Sequence, residues 1–253
     1  MLITENYHTH TYRCRHAGGT DRDYVEAAIA AGLTTLGFSD HSPMVFTTDH
    51  KSSFRMSLEE TPGYFESLLQ LREEYKDRIR ILIGVEAEYY PATHEKYMAF
   101  MRQFPCEYML LGQHFLLREE DGFYAMSPYR DPAMLKAYYQ NILDGVKTGD
   151  FLYVAHPDLF NFTGKPKDYD RVIRAFLKEI KALGVPLEIN RLGYSDRRIY
   201  PNRRFWQLAG EAGVPAAVGV DAHRPEHLTD FDAIRGCMAI AEENGLSVTQ
   251  NLL

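Results

Sequence analysis

Short apolar runs alternate with longer stretches of helical periodicity along this 253-residue chain, and that alternation restricts the possible fold more than any other feature. Strand-like runs fall at Leu2–Tyr7, Thr35–Phe38, Ile79–Val85, Tyr108–Leu111, Phe151–Ala155, Pro186–Ile189 and Ala216–Val220, with a last one near Leu246–Val248. Helix-like stretches lie between them at Arg22–Ala31, Leu58–Tyr75, Thr93–Phe104, Pro132–Thr148, Tyr169–Leu183, Arg203–Ala212 and Phe231–Glu243. Glycines in "AGL", "ALGV" and "EAGV" stop helices just ahead of strands, and Asp131 before Pro132 starts one. Repeated strand–helix units imply parallel pairing with helical crossovers. Seven or eight units favour closure into a (β/α) barrel over an open sheet. No Pro/Gly/Ser-rich linker interrupts them, so residues 1–253 read as one α/β domain.

The histidines follow this pattern. His8 and His10 come straight after the first strand, and His16 lies in the loop beyond. "GFSDH" places His41 after the second strand, "LLGQH" places His114 after the fourth, and "YVAHPD" places His156 after the fifth. "VGVDAH" brings Asp221 and His223 after the seventh, while the third strand ends in Glu86. Residues two apart in extended chain share a face, so His8 and His10 form a chelating pair, as do Asp221 and His223. In a parallel barrel all strand C-termini meet at one rim, where active sites of such barrels lie. Positions 8 to 223 are thereby drawn into one small volume.

A single histidine at a strand end is more often a hydrogen-bonded structural residue than a ligand. Seven at one rim with two carboxylates are another matter, because packing them together without an ion carries a heavy desolvation cost. Bound Zn, Fe or Mn removes that cost and matches imidazole and carboxylate donors. His94 reads instead as a solvated helix residue, and His50 and His227 as loop residues able to reach a pocket mouth.

The segments "HTHT" (8–11), His16, "SDH" (39–41), "GVEAEY" (84–89), "GQH" (112–114), "AHPD" (155–158) and "GVDAH" (219–223) occur in the order found in the PHP (polymerase and histidinol phosphatase) superfamily, which the chain resembles over nearly its whole length. Within it, "NYHTHTYRCRHAGG", "GFSDHSPM", "FRMSLEE" and "EAEYYP" resemble the bacterial histidinol-phosphate phosphatases. The resemblance implies a distorted (β/α)7 TIM-like barrel of the PHP type holding three divalent metal ions. By that likeness, His8, His10, Glu86 and Asp221 take the first ion. Glu86 bridges to the second, which His114 and His156 complete, and His16, His41 and His223 take the third.

The activity so implied is hydrolysis of a phosphate monoester by a hydroxide bridging two ions, with Glu86, Asp221 and His223 as catalytic residues. A formal charge of −7 is compatible with it, because three divalent ions against two ligand carboxylates leave a local positive surplus. Arginines are the natural forks for phosphate. "EINRLGYSDRR" offers Arg191, Arg197 and Arg198, and a phosphate-contacting arginine follows a comparable "EIN" in the related phosphatases, which favours Arg197 first and Arg191 next. Arg13 and Arg15 divide between phosphate and surface, and Arg203 and Arg204 read as a solvated helix start. Asp158 is a candidate acid for the leaving group or a structural partner. Phe115, Tyr124, Phe160 and Phe162 are candidate walls for the organic end of the substrate.

The acidic charge and the lack of a basic track weigh against a nucleic-acid partner, and so against a PHP-type phosphodiesterase or nuclease. A full ligand set weighs against a non-catalytic metal-binding module. No apolar run approaches the roughly 20 residues that span a bilayer, and the start lacks the marks of an export signal. Three widely spaced cysteines, Cys14, Cys106 and Cys237, read as free thiols of a cytoplasmic protein.

Overall fold

A computed structural model describes residues 3–253, so Leu2 of the expected first strand lies outside the described residues. Seven strands run in sequence order round one sheet: β1 (Glu5–Asn6), β2 (Thr35–His41), β3 (Arg80–Ala87), β4 (Tyr108–Leu111), β5 (Tyr153–Val154), β6 (Leu187–Asn190) and β7 (Ala216–Gly219). Every neighbouring pair is parallel. The circle closes just beyond β1 and β7, where Thr9 bridges Ala222 and His10 N donates to Ala222 O at 2.9 Å. The side chain of Asn6 reinforces the seam by accepting from Val220 N at 2.9 Å.

The barrel is distorted because β1 and β5 have two residues each, while β2 and β3 pair over seven positions. The eighth apolar run, near Leu246–Val248, is not a barrel strand. It makes one bridge, Val248 to Ala216, on the chain beginning β7.

Helices cover the outside: α1 (Asp21–Ala30), α2 (Thr61–Tyr75), α3 (His94–Met101), α4 (Pro132–Lys147), α5 (Pro166–Leu183), α7 (Arg203–Ala212) and α8 (Phe231–Glu243), with a five-residue α6 (Arg191–Ser195) that sequence reasoning did not anticipate. Their ends follow the expected signals. Asp131 accepts from Ala133 N at 2.8 Å to start α4, and Gly184 and Gly213, with positive φ, end α5 and α7. Most buried apolar side chains fill the layer between helices and strands. A smaller cluster of Tyr7, Leu82, Tyr108, Leu110, Tyr153 and Ala155 fills the barrel interior, with Leu252 packed against it. This plug fills the barrel interior with side chains, and active sites of such barrels lie at the C-terminal rim.

Candidate metal centre

The sheet delivers the proposed ligands to that rim. His41 is the last residue of β2 and Glu86 stands one from the end of β3. His114, His156 and the Asp221/His223 pair follow β4, β5 and β7, and His8 and His10 flank the closing bridge. His156 (φ 29°) and Asp221 (φ 52°) have left-handed backbone. That conformation is costly for a side chain with a Cβ and collects at functional sites.

All nine residues converge. His8 Nε2 and His10 Nε2 are 3.1 Å apart, and Asp221 Oδ1 lies 3.5 Å and 3.1 Å from them. Glu86 is shared: Oε2 lies 3.6 Å from His8 and His10 and 2.9 Å from His41 Nδ1, while Oε1 lies 2.8 Å from His156 and 3.8 Å from His114. His16 Nε2 and His223 Nε2 are 2.9 Å apart, and with His41 they form a further group of donors.

The hydrogen bonds show why such a set fits cations. His16 Nδ1 lies 2.7 Å from Cys14 O, and His223 Nδ1 lies 3.2 Å from Asp221 O. A carbonyl only accepts, so each Nδ1 carries the proton and each neutral ring turns a bare Nε2 lone pair towards the other. Two lone pairs at that separation repel unless a positive charge lies between them. His8 Nδ1 lies 2.8 Å from Glu188 Oε1, which turns its Nε2 toward the same cluster. Burial opposes its charging, but Glu188, Asp221 and Glu86 outweigh that and raise its pKa well above the ordinary value. Without metal, a proton rather than a bare lone pair therefore faces the cluster there. Glu86 Oε2 and Asp221 Oδ1, both buried, have no hydrogen-bond partner, although buried acceptors are normally satisfied.

Protonation follows the same geometry. Burial opposes charging of His10, yet Asp221, Asp40 and Glu86 outweigh it and raise its pKa to about 9. His16 is lowered to about 4, by burial first and then by the neighbouring imidazoles of His223 and His10. Burial pushes the Glu86 and Asp221 carboxyls upward, but the surrounding histidines hold both below the usual range. Without metal, protons occupy part of the donor set.

Several buried groups behind the ligands escaped sequence reasoning. Glu188 on β6 is fully buried and accepts from His8 Nδ1, from Tyr153 Oη at 3.0 Å, from His156 N at 3.0 Å and from Asn190 Nδ2 at 2.8 Å. Asp40 lies 3.4 Å from His10 Nδ1, and Glu88 Oε1 lies 3.1 Å from His114 Nδ1. The signals were available: Glu188 precedes Asn190 by two in "EIN", and Glu88 follows Glu86 by two, the spacing already used to pair His8 with His10. Gly112 and Gly219 make room for this chemistry, since a Cβ at either would overlap the carboxylate of Glu86 or Glu188.

Above the ligands opens a cavity of about 650 Å³. Phe54, Phe115, Tyr124 and Tyr200 give it an aromatic side, Arg198 and Arg224 a cationic one, and of the two loop histidines His227 lines it and His50 does not. Phe160 and Phe162 do not line it. Phe160 is buried against Tyr138 and Tyr129, and Phe162 packs near Tyr169.

Two arginines differ from expectation. Arg197 is exposed and outside the cavity lining, where Arg198 stands instead, held by Asp196 at 2.8 Å and by Tyr200 Oη at 3.2 Å. Arg191 is buried and paired with Asp230, because α6 begins at Arg191 and turns its side chain toward α8. Arg13 is buried against Asp21 and Arg15 pairs with Glu60. Asp158 accepts from Asn202 N and Trp206 Nε1, which makes it an anchor for α7. Burial comes first in raising its pKa to about 7. His94 is buried and hydrogen-bonded to Asp150, not solvated, and His50 pairs with Glu119.

A sequence profile of the PHP domain matches residues 6–192, well over half of the chain. The chain belongs to the PHP family. Among PHP relatives, it is 31% identical over 225 residues to a probable histidinol-phosphatase of Deinococcus radiodurans, covering 86% of this chain and 85% of that protein. It is 25% identical over 252 residues to the histidinol-phosphatase of Bacillus subtilis, with 86% and 92% covered. In structure it is similar to the histidinol phosphate phosphatase of Lactococcus lactis, solved with zinc, L-histidinol and phosphate. The TM-score is 0.73 at 20% identity, over 97% of this chain and 95% of that one. The shared PHP fold explains why the donors meet at one rim.

Proposed function

We propose that this PHP protein is a metal-dependent phosphomonoesterase that converts L-histidinol phosphate and water to L-histidinol and phosphate, acting as one domain over residues 1–253. The observation that carries the reading is the convergence of seven imidazoles and two carboxylates, five of the imidazoles and both carboxylates lining a cavity whose wall holds Arg198. The names of the Deinococcus and Bacillus relatives, and the histidinol and phosphate held by the Lactococcus protein, support the substrate.

His8, His10, Glu86 and Asp221 would hold one divalent ion, Glu86, His114 and His156 a second, and His16, His41 and His223 a third. Zn, Fe or Mn suits these donors. When bound, such ions supply Lewis acidity and a water acidic enough to attack phosphorus at neutral pH. The chain's own groups do the rest. Glu86 presents one oxygen to His8, His10 and His41 and the other to His114 and His156, the arrangement a bridging carboxylate needs. Asn190 Nδ2 donates to Asp221 Oδ2 at 3.1 Å, so its Oδ1 stays turned to His8 and His10. Arg198, fixed by Asp196 and Tyr200, offers donors to the phosphoryl oxygens. Phe54, Phe115 and Tyr124 offer ring faces to a cationic or imidazole end.

Among the described residues no helix is long and apolar enough to cross a membrane. The three unpaired cysteines support a reducing, cytoplasmic setting. Purified protein assayed for bound metal and for phosphate release from histidinol phosphate, other monoesters, a phosphodiester and single-stranded DNA tests the reading. Histidinol phosphate is expected to be turned over fastest. Preference for the diester or DNA replaces the reading with a PHP-type phosphodiesterase or nuclease, and a metal-loaded but inert protein replaces it with a binding module.

A further inference from the structure

Arg55 sits in the loop after β2 and no step above uses it. Its side chain is almost wholly buried, an unusual state for a guanidinium, and it meets two buried carboxylates. Nη2 donates to Glu88 Oε2 at 2.9 Å, Nε donates to Glu119 Oε2 at 2.9 Å, and Nη1 donates to Ser42 O at 3.1 Å. Each carboxylate has a second engagement. Glu88 Oε1 accepts from His114 N at 3.0 Å and lies 3.1 Å from His114 Nδ1, which leaves Nε2 facing Glu86. Glu119 Oε1 lies 2.9 Å from His50 Nε2 and so ties the loop after β4 back to the loop after β2. The neighbouring Phe54 lies under the guanidinium at 4.4 Å. It faces the cavity, its ring 5.2 Å from His41 and 6.0 Å from both His114 and Phe115.

We propose that Arg55 is a positioning residue with two arms, one aligning His114 through Glu88 and the other fixing the Phe54–Phe115 wall through Glu119. This rests on reading His114 as a metal ligand. A planar fork is required because three acceptors lie in three directions, and an ammonium placed against one leaves the others unmet. The first arm governs metal affinity and turnover. The second governs the shape presented to the substrate.

The test compares wild type, Arg55→Lys, Glu88→Gln and Glu119→Gln. Zinc affinity is measured by chelator competition, the His114 Nδ1 proton by NMR of histidine-labelled protein with and without zinc, and kcat and KM on the monoester turned over best. In Arg55→Lys, zinc affinity and kcat are expected to fall roughly tenfold, the low end for groups behind a ligand, with faster exchange of the His114 Nδ1 proton. Glu119→Gln should raise KM while leaving kcat and zinc affinity as they were. A folded Arg55→Lys protein that differs only in melting temperature, with zinc affinity and the His114 signal unchanged, overturns the proposal. Equal zinc loss in Glu119→Gln overturns the division into arms. Should Arg55→Lys not fold, Glu88→Gln reads the first arm, and an undisturbed His114 there overturns it. If wild type binds zinc but hydrolyses no monoester, the proposed reaction falls, while the zinc and NMR comparisons still judge Arg55.

Discussion

Glu188 is the residue whose removal separates orientation from ligation. Its Oε1 serves His8 Nδ1 and Tyr153 Oη, and its Oε2 serves His156 N and Asn190 Nδ2. Glu188→Gln keeps the volume but turns an NH2 group toward donors on one side, so either His8 or His156 loses its support. Zinc affinity and turnover are expected to fall roughly 10- to 100-fold, the range for partners of metal-bound histidine. Chelator competition measures this, and far-UV circular dichroism should remain that of wild type. Arg198 tests the cavity wall. A charge-assisted bond to phosphate contributes about 1.5–3 kcal/mol, so Arg198→Ala should raise KM roughly 10- to 100-fold with zinc content intact. Arg197→Ala, whose side chain lies outside the cavity lining, should leave KM within about twofold, since surface changes of this kind cost little. Steady-state kinetics on the two variants decides between Arg197, which the sequence favours, and Arg198, which lines the cavity.

At the scale of elements, the convergence of the proposed ligands was legible because their positions depend on two regular features, the two-residue period of extended chain and the common rim of parallel strands. The arginines were not, because they follow β6, where the chain does not run on extended. Asn190 Oδ1 accepts from Gly193 N at 2.9 Å and starts α6 at once, which carries Arg191 into the core and sets the phase of everything up to the Tyr200–Pro201 turn. A side-chain cap of that kind is local chemistry that apolar periodicity does not register. Glu188 and Glu88 were missed for a different reason: each meets a proposed ligand at the ring nitrogen turned away from the donor cluster, His8 Nδ1 and His114 Nδ1 respectively. The eighth run contributes one edge bridge at Val248 and no barrel strand, because two apolar residues flanking Ser247 are too short a segment to pair further. Close packing between elements gives a further test at Gly112, just past β4, where an added Cβ would overlap Glu86 on β3. Gly112→Ala should displace the shared carboxylate and lower turnover by at least about 100-fold, as loss of a positioned catalytic group does, with zinc content reduced and helix content unchanged. Metal analysis beside circular dichroism checks both halves.

For the whole molecule, the centre links folding, metal and pH. A chain of charge −7 buries Asp40, Glu86, Glu88, Glu188 and Asp221 round one rim, where histidines meet Asp40, Glu86, Glu188 and Asp221, and Arg55 meets Glu88. Without metal, the charge that offsets them comes partly from protons. His10 is raised from 6.5 to about 9, so its proton adds stability fully below pH 6.5 and the contribution is lost as pH rises through about 9. His16, lowered to about 4, is already neutral across this window, so no proton competes with zinc for it there. Zinc must expel the His10 proton, so its apparent affinity climbs between pH 6.5 and 9 while the metal-free protein weakens. Zinc at one hundred times its Kd adds about 2.7 kcal/mol, roughly 5–10 °C in melting temperature at this chain length. The gap between zinc-loaded and metal-free melting temperatures is therefore expected to widen from pH 6.5 to pH 9. Calorimetric scans of both forms across that range measure the gap, and zinc titrations in buffers of differing ionisation enthalpy count the protons released. A gap that narrows with rising pH, or binding without proton release near pH 7, contradicts a centre in which cations replace protons on the same imidazoles.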